Sequence, residues 1–236
     1  MKRLFLGTLA AVVVASTVAF ASMGGWAVVS VMKIPDAWVA GKPLQLTWYV
    51  RQHGFTLLDN LHPTLEARSA SRSITGTTWA FAESGQKGYR GTITFPEPGV
   101  WQVTVNSGFG RSRAVLIPWR VVDSVTAVRG TVEAHLTKMG VIPLPDFERG
   151  RRLFAARGCV TCHTHAAVSI PGDVSDYGPN LTNLKFPPEY LARFLADPSI
   201  KPSTNGKRMP NLSLREKEIT PLIAFINADH RQLTRR

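Results

Sequence analysis

The sequence predicts a multidomain protein, with an all-β sandwich in its N-terminal half and a small all-α unit at the C-terminus. Three observations carry this. Apolar residues between Trp26 and Asp123 recur with period two and are cut by turn residues at short intervals. From Asp146 onward the spacing becomes that of short amphipathic helices. The only two cysteines of the 236 residues fall together in that second part, in Cys159-Val160-Thr161-Cys162-His163.

The chain opens on Met1-Lys2-Arg3, followed by an apolar run from Leu4 to Phe20 and by Ala19-Phe20-Ala21, an A-x-A cleavage pattern. Residues 1–21 therefore read as a signal peptide or an N-terminal membrane anchor. The run is short for a spanning helix, and Thr8, Ser16 and Thr17 weaken it, which favours cleavage near Ser22. On either reading the remainder is expected in the periplasm or on the extracytoplasmic face of the cytoplasmic membrane.

Residues 24–123 are the expected β domain. Leu44, Leu46, Trp48 and Val50 alternate with Gln45, Thr47, Tyr49 and Arg51, the pattern of a half-buried strand. Further runs are Trp26–Ile34, Thr64–Ser69, Thr77–Ala82, Gly88–Phe95, Val100–Asn106 and Arg113–Val122, divided by turns such as Pro96-Glu97-Pro98-Gly99. Seven strands in roughly 100 residues argue for an immunoglobulin-like sandwich. Without cysteines its core must rest on packed apolar side chains, with Trp38, Trp48, Trp79, Trp101 and Trp119 assigned to it. The segment resembles the YtkA-like extracytoplasmic β-sandwich domains through GKPLQLTWYVRQHG near its start and GYRGTITFPEPGVWQVTV near its end. That resemblance implies a fold and no chemistry. His53, Asp59 and His62 bracket one loop, and His135 follows further on. Imidazoles suit copper and zinc, but histidines so placed read first as ordinary surface or loop residues.

Residues 124–145 read as a linker. Thr126 to Met139 is a short helix or a loose segment, and Val141-Ile142-Pro143-Leu144-Pro145 is a stiff extended lead.

Residues 146–236 carry the chemistry. Asp146 to Arg157 is expected as a helix, with Asp146 as N-cap, Phe147, Leu153 and Phe154 as its apolar residues, and Gly158 closing it. A C-x-x-C-H run is an attachment site for c-type haem. Two thiols one turn apart add to the vinyl groups, and the adjacent imidazole becomes the proximal ligand of the iron. A disulfide, a zinc half-site and a thioredoxin-like pair compete with this reading. Zinc wants four ligands, usually from a second pair at matching spacing, and a redox pair wants a βαβ context. Neither is visible. A second helix is expected over Pro188–Ala196, stopped by Asp197-Pro198. A third is expected over Ser213–Ala228, with Ser213-x-x-Glu216 as a capping box and Ile219, Leu222, Ile223 and Ile226 as its apolar stripe.

Residues 146–230 resemble the class I monohaem cytochrome c domain. The matching features are F-x-x-x-G-C-x-x-C-H from Phe154 to His163, G-P-N-L from Gly178 to Leu181, Met209-Pro210, and the apolar C-terminal helix. The resemblance implies an all-α cytochrome c haem domain with one covalent haem c, Met209 as second axial ligand opposite His163, and the Pro179 carbonyl holding the Nδ1 proton of His163. Met209 also stands out by itself. It lies between Arg208 and Pro210 in a polar loop, where an apolar side chain has little local reason to be. His165 is too near His163 to reach the other face of a haem. Iron with both axial positions filled favours electron transfer over chemistry at an open site.

The formal charge of +12 is spread over both halves, which argues against a nucleic-acid stripe. Lys201, Lys207 and Arg208 flank the Met209 loop, and Arg151, Arg152 and Arg157 flank the haem motif. A basic ring there would steer an acidic partner.

The expectation is a c-type cytochrome that passes single electrons between respiratory or photosynthetic redox partners, with the β-sandwich as docking module. The partners implied are redox proteins, such as a membrane-bound oxidase, reductase or quinol-oxidising complex. No catalytic base or nucleophile is evident. Two alternatives stand beside it: a haem enzyme or gas-binding protein with an open axial site, and a copper-handling assembly factor for an oxidase.

Overall fold

The computed structural model describes residues 25–35, 38–83, 85–123, 144–168, 177–201 and 206–229. The signal or anchor segment, most of the linker, His135 and Met139 lie outside them. Among the described residues no helix is long and apolar enough to cross a membrane.

The strands are β1 (Ala27–Val31), β2 (Trp38–Val39), β3 (Pro43–Gln52), β4 (Thr56–Leu57), β5 (Thr64–Arg68), β6 (Ser73–Glu83), β7 (Gln86–Thr94), β8 (Gly99–Asn106), β9 (Arg113–Val115) and β10 (Trp119–Val122). They form one sheet in the order β1-β3-β7-β6-β5-β8-β10-β2, with β4 beside β3 and β9 beside β8. Only the β10–β2 pairing is parallel among these.

This corrects the expected two-sheet sandwich. The reason lies in β6. Its first residues pair with β5, ending at Gly76 opposite Leu65. From Thr77 it pairs with β7. One strand thus carries the hydrogen-bond ladder around a corner, and the sheet curls instead of splitting in two. Gly76 sits at the change of partner, where a Cβ would stand 2.5 Å from the Thr92 carbonyl oxygen. Only a residue without a side chain lets the strands approach so closely there.

Inside the curl, Trp38 stacks on Phe95 and Trp119 at 5.4 and 5.0 Å between ring centroids, and Phe95 meets Trp101 at 5.4 Å. Trp38, Trp48, Trp101 and Trp119 are buried, but Trp79 is 41 % exposed on β6. The expected Arg113–Val122 run breaks into β9 and β10 before Trp119, at Ile117-Pro118, because proline cannot donate to a ladder.

The described helices are α1 (Asp146–Ala156), α2 (Pro188–Ala196) and α3 (Glu216–Ile226). Pro145, not Asp146, takes the N-cap position of α1. Asp146 and Glu148 lie in its first turn instead, where the helix dipole favours negative charge. The N-cap of α3 is Arg215, whose backbone N–H is accepted by Glu218 at 3.0 Å. Ser213 lies two residues before that cap, and its φ of 53° is outside the extended range usual for a capping residue, so the expected Ser213-x-x-Glu216 box does not form. A Cβ on Gly150 of α1 would meet the Pro221 carbonyl oxygen of α3 at 1.9 Å, so these two helices touch backbone to backbone.

The expected separate all-α domain is also corrected. All five residues of β1 are buried. Ala27, Val29 and Val31 face the sheet's core, while Val28 packs with Cys162 and Leu212. A strand apolar on both faces needs a cover on its second face, and the helical segment supplies it. Ala156 of α1 belongs to the sheet's core. The Arg152 guanidinium lies 4.2 Å from the Trp119 ring centroid and donates to the Pro118 carbonyl at 3.0 Å. Helices and sheet share one packed body.

Candidate functional site

The Cys159–His163 segment enters at the C-terminal end of α1. Gly158, at φ 81°, turns the chain out of the helix, and a short 3-10 turn spans Cys159–Thr161. A side chain at 158 would also strike Val28 and the Val29 carbonyl of β1, at 2.7 and 2.8 Å. Backbone N–H groups of Cys162 and His163 both donate to the Cys159 carbonyl, at 3.1 and 2.9 Å. This knot aims two thiols and an imidazole from one turn of chain. Both cysteines are buried and neither is in a disulfide. Burial pushes the Cys159 thiol up to about 12, against the pull of the nearby Arg157 charge.

His163 Nδ1 lies 3.0 Å from the Pro179 carbonyl oxygen. A carbonyl only accepts, so Nδ1 carries the proton and Nε2 is left unprotonated, the form in which a ring nitrogen can ligate. Burial holds the His163 pKa below the ordinary imidazole value, and the Pro179 carbonyl partly offsets this. A neutral ring is the ligand form. Gly178 N–H donates to the Cys162 carbonyl at 2.9 Å. That bond ties the Gly178-Pro179 strap under the imidazole.

A cavity of about 430 Å³ opens here. Cys159, Cys162, His163, Pro179 and Met209 all line it, so the structure brings the five sequence-selected residues around one space. Its other walls are largely apolar, with Phe154, Leu181, Leu191, Leu195 and Leu222 among them. The size lies within the roughly 300–1,000 Å³ typical of small-molecule and cofactor sites. Two thiols, an imidazole with one nitrogen held by a carbonyl, and a thioether around an apolar slot are a donor set that fits a covalent haem. Met209 is half-buried and packs against the helical core.

The basic groups divide. Lys201, Lys207 and Arg208 are exposed and line the cavity. Arg151 and Arg152 are bound to Glu148 at 2.6 and 2.9 Å. Arg157 is fully buried. The expected ring is therefore confined to the Met209 side.

His165 is buried, its ring 4.2 Å from Phe225 and 6.0 Å from Phe154 between centroids, as part of the helical core. The loop histidines do not gather. His53 packs its ring edge on Trp26, and Asp59 is taken by Lys87 at 2.5 Å. Among the described residues no three His, Cys, Asp or Glu side chains cluster as a metal-holding group.

Two contributors were not legible as site residues. Trp26, before β1, meets Tyr177 of the cavity wall at 5.6 Å between ring centroids. Phe55, between β3 and β4, lies under the Arg208 guanidinium at 4.6 Å. In the sequence Trp26 reads only as the start of a strand run and Phe55 only as an aromatic residue in a turn. Compared with known proteins, the chain matches no family model and no curated protein.

Proposed function

We propose that this chain is an extracytoplasmic c-type cytochrome that carries single electrons between redox proteins. One haem c would be held covalently by Cys159 and Cys162, and His163 and Met209 would supply the side chains that ligate its iron. When bound, that group supplies a reversible one-electron couple at iron. The observation that carries the reading is the convergence of the C-x-x-C-H turn, the Pro179 carbonyl and Met209 on one apolar cavity.

The chain's own residues have separate tasks. The Pro179 carbonyl fixes the ring of His163 and raises its basicity, as outer-shell acceptors do. The apolar walls exclude water and favour the less charged iron state. Lys201, Lys207 and Arg208 present positive charge at the cavity, which suits an acidic face on a donor or acceptor. A membrane-bound oxidase, reductase or quinol-oxidising complex fits that role at the extracytoplasmic surface. The sheet, packed against the cavity through Trp26 and Phe55, takes part in presenting this face.

The test is to produce the chain in cells that attach c-type haem and then denature it. Haem that stays with the polypeptide, and is lost in Cys159→Ser with Cys162→Ser, supports the reading. A chain that carries no haem, or releases it on denaturation, overturns it.

A further inference from the structure

The segment Arg208–Ser213 that carries Met209 has no helix or strand of its own. Its anchors come largely from outside the helical part. Arg157 donates through one terminal nitrogen to the Leu212 carbonyl, and to the Ser213 carbonyl at 3.3 Å. Pro210 fills the space above Gly54, in the turn between β3 and β4, where a Cβ would meet its ring at 2.8 Å. Arg208 covers Phe55 in the same turn. Leu212 is 4 % exposed and packs with Val28 of β1.

Arg157 is itself braced by the sheet. Ser30 of β1 donates its hydroxyl to the Arg157 carbonyl at 2.9 Å, and an Arg157 terminal nitrogen lies 2.6 Å from the Met32 sulfur. Glu218 of α3 supplies the counter-charge, with Nε to Oε1 at 3.8 Å. Arg51 of β3, also buried, adds a second guanidinium to the region. A buried cluster with more positive than negative groups is weak as a source of stability. Its geometry is specific, because a planar fork reaches the loop, Met32 just after β1, and α3 at once.

We infer that Arg157 is a positioning residue for the Met209 loop, and that β1 with the β3–β4 turn completes the clamp, so that the sheet sets how firmly Met209 is held at the cavity. This rests on the haem reading above. It assigns the sheet a part in axial ligation, distinct from any docking role.

The experiment uses the full haem-loaded chain with Arg157→Met, Arg157→Lys and, as a milder variant, Phe55→Ala. Two readouts follow the loop: the weak near-red absorption band of methionine-ligated ferric haem, and amide hydrogen exchange over residues 208–213. Arg157→Met should lose the band and exchange at least about tenfold faster in this loop, with the α2 amides unchanged. Lysine should restore part of both, because it keeps charge but not the fork. Phe55→Ala should weaken the band and speed exchange by a smaller factor. Should Arg157→Met fail to fold, the lysine and Phe55 variants decide. Native band and native loop exchange in the folded variants overturn the inference while the haem reading stands. A native protein without the band fails the axial role of Met209, and the inference falls with it.

Discussion

Gly178 leaves its α-carbon pressed against His163: a Cβ there would stand 2.4 Å from Cε1 and 2.6 Å from Nδ1 of the imidazole. Even the smallest side chain must push the ring off the Pro179 carbonyl. Gly178→Ala is therefore expected to lower the yield of haem-loaded protein by about tenfold, the scale of an outer-shell loss. Absorbance per mole of purified chain checks it. Full loading with an unchanged spectrum would show that the ring can move without penalty.

Gly150 and Pro221 fix the crossing of α1 and α3. Gly150→Ala forces the two backbones apart, at a cost of about 1–3 kcal/mol or more. The denaturant midpoint should fall, and the loss should appear in the apo and haem-loaded forms alike, because the contact does not touch the cavity.

Glu218 sets an acid limit. Burial pulls its carboxyl up, but hydrogen bonds from Arg215 and the charge of Arg157 outweigh this and hold it below the ordinary carboxylate value. A depressed folded value means that its contribution is present above the unfolded carboxylate pKa and is lost as pH falls through the folded one. Stability should drop below about pH 4. Glu218→Gln leaves Arg157 buried without its anion, so it should cost about 3 kcal/mol at neutral pH and flatten the acid limb. Urea midpoints between neutral and acid pH check both parts.

Lys201 and Lys207 are exposed at the cavity. Reversing both to Glu should slow oxidation of the reduced haem protein by ferricyanide, a small anion, by about tenfold at low salt. The difference should close at high salt, where such charges are screened. Stopped-flow rates against ionic strength give the answer. Equal rates at low salt would place the electron route elsewhere.

Local chemistry was legible where it depends on neighbours in sequence. The alternation from Leu44 to Val50 marks β3, and Pro188 at a first turn marks the start of α2. The five selected site residues carry their meaning in short motifs, and these meet at one cavity. What stayed illegible depends on partners far along the chain. The β6 corner needs β5 and β7 together, and within Ser73–Glu83 only Gly76 hints at a bend, without naming either partner. An arginine beside a C-x-x-C-H motif reads as a surface charge, and only β1, α3 and the Met209 loop together make Arg157 a buried one. The run Ala27-Val28-Val29-Ser30-Val31, apolar but for one small hydroxyl, held the clue to the shared body. A strand buried on both faces leaves no room for two independent domains.

The most direct test of the central claim is the optical spectrum of the haem-loaded protein, oxidised and reduced, with Met209→Ala beside it. The native protein should be low-spin, with a near-red methionine band and little affinity for carbon monoxide. The variant should lose the band and bind carbon monoxide readily, because one axial position has opened. A native protein that is already high-spin and binds carbon monoxide as well as the variant would contradict the electron-carrier reading.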